Sequence, residues 1–142
     1  MLLHRDDGYE LCDDDTRLDV DLVHQWLSQD AYWALGRSRD TVARSLVRSV
    51  NLGLYRPDGG QVGFARLVTD QATFAWLCDV YVQRPERGKG LGTWLVGSLC
   101  DLARGWGLRR MVLATADAHG VYARLGFTPM VRPDQWMEIR LG

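Results

Sequence analysis

The chain has 142 residues, 46% of them hydrophobic and 25% charged. That balance supplies one apolar core without a disulfide or metal staple. The net charge of −1 excludes a nucleic-acid binder that works by bulk electrostatics. No apolar run approaches the roughly 20 residues of a membrane span. The start, "MLLHRDDGYELCDDD", turns acidic at once and lacks the charged-then-apolar order of a secretory leader. The expectation is a single domain over residues 1–142, cytoplasmic, with neither nucleic-acid nor membrane partners, as a monomer or homodimer. Cys12, Cys78 and Cys100 are an odd set with no C-x-x-C spacing, so they read as reduced thiols. The three histidines are scattered and none lies near a cysteine at ligand spacing; no metal is expected.

In chain order, "YELCDDD" predicts a first strand from Tyr9 to Asp13. "RLDVDLVHQWLSQDAYW" spaces Val20, Val23, Trp26 and Leu27 as a helix does, and "SRDTVARSLVRSV" does so with Val42, Leu46 and Val50. Asp40 is the expected N-cap of that second helix. Pro57-Asp58-Gly59-Gly60 is a turn signal, which makes Leu52–Tyr55 and Gln61–Thr69 a hairpin. "TFAWLCDVYV" is apolar except for Asp79, the pattern of a strand covered on both faces. Alternation puts Leu77, Asp79 and Tyr81 on one face and Trp76, Cys78, Val80 and Val82 on the other. A helix follows on Leu95, Leu99, Leu102 and Ala103, ended by Gly105 and Gly107. "RRMVLATA" predicts a buried strand, "DAHGVYARLGF" a short helix stopped by Gly126, and "WMEIRL" a last strand. The order β-α-α-β-β-β-α-β-α-β predicts an α/β (mixed α+β) protein: a central mixed, mostly antiparallel sheet of six to seven strands with helices on both faces.

Between the "DVYV" strand and its helix lies "QRPERGKGLGTWL", with three alternating glycines and the chain's only lysine, Lys89. A strand, glycine-rich turn and helix is an arrangement for holding phosphate: exposed N–H groups and the positive end of the helix dipole meet at the turn. A P-loop and a dinucleotide fingerprint both require glycine at position 93, which is Thr93. The pattern that fits is R-x-x-G-x-G, Arg87-Gly88-Lys89-Gly90-Leu91-Gly92.

With "DVYVQRP" before it and "VYARLGF" after it, this segment resembles the GCN5-related N-acetyltransferase (GNAT) superfamily over nearly the whole chain. The resemblance implies the acyl-CoA N-acyltransferase fold and acetyl-CoA as co-substrate. It places the diphosphate on the loop formed by Arg87, Gly88, Lys89, Gly90, Leu91, Gly92 and Thr93, and pairs the pantetheine arm with the main chain of Val80, Tyr81 and Val82. It makes Tyr122 the acid that protonates the leaving thiolate. Relatives often carry asparagine seven residues before that tyrosine; here the position is Thr115.

Asp79, the lone carboxylate of its strand, is the candidate base, since apolar surroundings raise a carboxyl pKa. If the base in such relatives is the preceding glutamate, replaced here by Cys78, Asp79 orients or binds instead. In "QDAYWALGRSRD", Tyr32 and Trp33 are candidates to stack on the acceptor, and Arg37 and Arg39 to hold a carboxylate. Trp76 reads as core. The expected reaction is transfer of acetyl to a primary amine of a small molecule by direct attack in a ternary complex. A protein or peptide acceptor and a non-catalytic acyl-CoA-binding module are the alternatives.

Overall fold

The computed structural model describes residues 1–142. Six strands lie side by side in chain order: β1 (Leu2–His4), β2 (Glu10–Cys12), β3 (Val50–Tyr55), β4 (Gln61–Thr69), β5 (Ala75–Val82) and β6 (Met111–Leu113). All neighbours pair antiparallel except β5 and β6, which are parallel. A parallel pair needs a crossover, and α3 (Leu91–Gly105) supplies it. The expected mixed, mostly antiparallel sheet is therefore present, with six strands. No helix is long and apolar enough to cross a membrane.

Helices cover both faces. On one side α1 (Val20–Asp30) and α2 (Arg39–Val47) enclose Val23, Trp26, Leu27, Val42 and Leu46 against Phe64 and Tyr81. On the other, Leu91, Leu95, Val96 and Leu99 of α3 pack on Leu52, Leu54, Ala65, Leu67 and Leu77. The short α4 (His119–Ala123) adds Tyr122 to the rim of that second core. Asp19 caps α1 by accepting from the Leu22 N–H. Ser38, not Asp40, caps α2, accepting from Thr41 N–H; Asp40 falls in the first turn and pairs with Arg44. At the end of α3, Gly107 takes φ +79°, and the Leu108 N–H reaches back to the Ala103 carbonyl, a Schellman closure that needs this glycine.

Four expectations about strand positions, bounds and burial change. The first predicted strand is the second in the sheet: Leu2–His4 pairs with it through a turn at Gly8 (φ +92°), a strand too short to show a period. Val50 starts β3 instead of extending α2. β6 is half-buried, not buried, because its outer edge has no neighbour. "WMEIRL" forms no strand, and Trp136–Leu141 is exposed throughout. Only three residues of β6 offer an edge, and Pro129 and Pro133 remove two N–H donors from the approach to it.

One irregularity governs the site. Arg66 pairs with Asp79 but Leu67 pairs with Leu77, so Cys78 is an extra residue in β5. A bulge shifts side-chain parity. Leu77, Val80 and Val82 therefore share the α3 side, while Asp79 and Tyr81 face α1 and α2. The expected grouping of Leu77 with Asp79 is corrected. Trp76 also faces the α1–α2 side, beyond the helices, and is 48% exposed rather than core. Phe64 is fully buried opposite Tyr81. Phe64→Ala is expected to cost about 3–5 kcal/mol, read as a lower denaturant midpoint at unchanged m-value.

Candidate active site

Gly88 and Gly90 adopt φ +84° and +74°, left-handed values that bend the chain into the start of α3. Gly90 occupies the N-cap and offers no side chain to the first turn. The first N–H of the segment with a protein acceptor is that of Trp94, bonded to the Gly90 carbonyl. The N–H groups of Gly88, Lys89, Gly90, Leu91, Gly92 and Thr93 donate to no protein group. Six open donors at the positive end of a 15-residue helix form a cradle for an anion of diphosphate size.

The side chains of the loop brace it. Lys89 Nζ lies 2.8 Å from Glu86 Oε2 and 3.2 Å from the Tyr9 hydroxyl. Glu86 is buried, and Tyr9 donates to the same oxygen at 2.5 Å. Lys89 foremost, then Tyr9, hold the Glu86 carboxyl below its ordinary range. The Lys89 ammonium, its side chain 47% exposed, pairs with Glu86 and Tyr9, and the open donors of the loop are main-chain N–H groups. Arg5, reaching over from the β1–β2 turn, donates to the Lys89 carbonyl at 2.9 Å. Arg87 donates from Nε to the Val82 carbonyl at 2.7 Å.

Next to the cradle, the sheet opens. β5 pairs with β6 only through Ala75–Leu77, opposite Met111–Leu113. Past the bulge the β6-facing edge of β5 has no strand beside it. The Gln83 N–H bonds Val62 of β4, so the alternation of main-chain groups turns those of Val80 and Val82 toward the open side. Tyr81 faces β4 instead. Its side chain stacks on Trp26 and donates to Asp30 at 2.7 Å. Arg84 first, with Tyr81, keeps the Asp30 carboxyl at about 2.

On the α1–α2 side of the opening stands Asp79, 1% exposed. Its surroundings are not the apolar ones expected. Trp33 Nε1 donates to Oδ1 at 2.7 Å, Arg66 Nε to Oδ2 at 2.7 Å, and Arg37 Nη1 to both oxygens at 3.3 and 3.1 Å. A carboxylate that accepts from three donors is a structural anchor in the sense of a buried, hydrogen-bonded charge. Trp33 meets Tyr32 edge-on at 5.1 Å, and the Tyr32 hydroxyl accepts the Ala116 N–H beyond β6 at 2.9 Å. The loop between α1 and α2 is thereby fastened across the mouth of the split. Arg66 was not among the expected site residues. The signal was available: an arginine two residues after Phe64, on the inward face of an otherwise apolar strand. Arg39 pairs with Asp21 on the surface and takes no part.

Tyr122 lies half-buried near Tyr32 and Asp117, and burial foremost pushes its hydroxyl above the ordinary 10.0. The hydroxyl forms no hydrogen bond within the protein, whereas that of Tyr81 is engaged. Thr115 Oγ1 accepts from Ala118 N–H at 3.1 Å, closing the turn before α4. A concavity of about 820 Å³ runs between α3, β6, α4 and residues 127–136 and includes Tyr122 and Thr115. Its lining contains neither the cradle nor Asp79, and it lies along the uncovered outer edge of β6.

This geometry, an open β-edge leading into a nest of N–H groups, agrees with the relatives of the chain. Residues 20–127 match the Acetyltransferase (GNAT) family, and the chain belongs to that family. It is an acetyltransferase by membership. It is 31% identical over 135 residues to a putative acetyltransferase of Gibberella zeae, covering 82% of this chain and 76% of that one. A 68-residue stretch is 44% identical to mouse N-alpha-acetyltransferase 80, over 46% of this chain and 22% of that protein. Among solved structures, a putative GNAT acetyltransferase of Xanthomonas campestris superimposes with a TM-score of 0.88 at 42% identity, covering 94% and 93% of the two chains. A Mycobacterium tuberculosis protein solved with CoA gives 0.70 at 25% identity, covering 84% of this chain and 72% of that one.

The φ of +74° at Gly90 makes any side chain there strained although space is free. Gly90→Val is expected to weaken CoA binding about 10-fold or more, measured by calorimetric titration, with the far-ultraviolet circular dichroism of the folded protein retained.

Proposed function

We propose that the protein transfers the acetyl group of acetyl-CoA to a primary amine of a small molecule, with both substrates bound together. The observation that carries this reading is the run of six unbonded N–H groups, Gly88 to Thr93, continuous with the open edge at Val80 and Val82. The cradle fits a diphosphate by main-chain donors and helix dipole. The β5 edge fits the amides of a pantetheine arm, which pair with a strand as another strand would. The solved relative that holds CoA supports the same choice of co-substrate.

In the reaction the amine nitrogen attacks the thioester carbonyl carbon, a C–N bond forms, and the C–S bond breaks. The main-chain N–H groups at the β5 edge stabilise the oxyanion that forms between those events. Tyr122 gives its proton to the departing thiolate, burial holding its hydroxyl in the protonated, donor form, and the proton shed by the acylated nitrogen passes to water, from which the phenol is restored. Cys78 is half-buried and its thiol is pushed up, first by burial and also by Asp79. A scarce thiolate disfavours an acyl-cysteine relay and supports direct attack.

Asp79 acts in this account by positioning. It fixes Arg37, Arg66 and Trp33, and with them the acceptor side of the cleft. Two guanidinium groups around one carboxylate leave a positive field, which favours the neutral, attacking form of an amine over its ammonium. A peptide amino terminus is the second reading, favoured by the 44% identical stretch shared with mouse N-alpha-acetyltransferase 80. An acceptor panel containing small amines and short peptides, followed by thiol release, separates the two.

Tyr122→Phe is expected to lower kcat about 100-fold with a smaller change in the KM for acetyl-CoA; a wild-type kcat would remove the acid from this position. Asp79→Asn is expected to raise the acceptor KM and lower Tm. The acid limb of the pH–rate profile should persist in that variant, because it follows the acceptor amine. If the limb vanishes, Asp79 is the base after all.

A further inference from the structure

The cluster around Asp79 is unbalanced. Arg66 and Arg37 are 13% and 22% exposed and bring two positive charges, and Asp79 answers with one negative. Neither arginine has a second carboxylate partner. Arg66 uses Nε on Asp79 and Nη1 on the Ser49 hydroxyl at 3.1 Å. Arg37 uses only Nη1, which leaves its Nε and Nη2 donors without a protein acceptor. Half-buried guanidinium groups that carry a net charge and keep open donors form an anion site, because a planar fork matches a carboxylate. Arg37 is also held in place rather than free to swing, since Asp79 grips its inner edge. Beside it the exposed faces of Tyr32 and Trp33, 51% and 40% accessible, offer a wall for hydrocarbon.

From this we infer that the acceptor amine itself carries a carboxylate, seated on the open donors of Arg37 with Arg66 behind. The inference rests on the acetyl-transfer reading and narrows its substrate class. The carboxylate binds Arg37, the carbon skeleton lies along Tyr32 and Trp33, and the amine points toward the thioester at the β5 edge. The same chemistry is offered by a free amino acid and by a peptide whose first residues are acidic. Diamines and polyamines are poor fits, because their second positive charge would meet two guanidinium groups.

The test compares acceptors in matched pairs by kcat/KM, with thiol release as the readout. 4-Aminobutanoate is set against butylamine, glutamate against its diamide, and an Asp-Asp-initiated peptide against its Asn-Asn counterpart. The carboxylated member of at least one pair is expected to be favoured about 10-fold or more. Whether amino acid or peptide leads identifies the source. In Arg37→Met that ratio should fall toward one, and Arg37→Lys, which keeps a charge but not the fork, should restore it only in part. A preference for the neutral or cationic partner, or a ratio unchanged in Arg37→Met, overturns the inference while leaving acetyl transfer standing. If no amine is acetylated, glutarate, a dicarboxylate without an amine, is titrated against the indole N–H resonance of Trp33, assigned with Trp33→Phe. A shift at millimolar glutarate that is lost in Arg37→Met keeps the carboxylate site and removes the transfer reading. No shift removes the site.

Discussion

One inserted residue, Cys78, organises the working part of this molecule. A strand that kept strict alternation would carry Asp79 to the same side as Leu77, under α3 and into an apolar core with no donors. The bulge turns Asp79 and Tyr81 toward α1 and α2 instead, and leaves Val80 and Val82 facing α3. The same irregularity falls where pairing between β5 and β6 ends. A sheet that loses a ladder normally exposes unpaired main chain as a liability. Here the unpaired edge runs directly into the unbonded N–H groups of the glycine turn, and the two form one continuous polar track between hydrophobic layers.

The charged residues around that track divide into those that hold and those that remain open. Lys89, Glu86, Tyr9 and Arg5 tie the turn to the first hairpin. Arg84 and Arg87 tie its approach to Asp30 and to the Val82 carbonyl. These contacts fix the backbone and leave its donors free, which is how a loop becomes preorganised for an anion. Asp79 does the same for the opposite wall by gripping Trp33, Arg37 and Arg66. The Tyr122 hydroxyl, the outer donors of Arg37 and the N–H groups of the glycine turn are left without protein partners.

Much of this was legible in the chain itself. The β4 and β5 boundaries, the helical stripes of α1 and α3, and the glycine cradle follow from local pattern, since period and turn chemistry act over a few residues. Three things were not legible. The bulge leaves no mark in an apolar run, because Cys78 suits either parity. The partners of Asp79 come from residues 33, 37 and 66, and only the folded sheet brings them together; apolar neighbours in sequence said nothing of donors across the sheet. The pairing of Lys89 with Glu86 was hidden too, because Glu86, three residues away, reads as one more solvated charge until burial closes over it.

The central claim is that the N–H groups of Gly88 to Thr93, together with those of Val80 and Val82, are the donors that receive the co-substrate. Amide proton shifts and exchange rates, recorded residue by residue as CoA is added, test it most directly. The account predicts large downfield shifts and slowed exchange confined to those amides and their immediate neighbours. Saturable CoA binding that leaves the Gly88–Thr93 amides unmoved would contradict it.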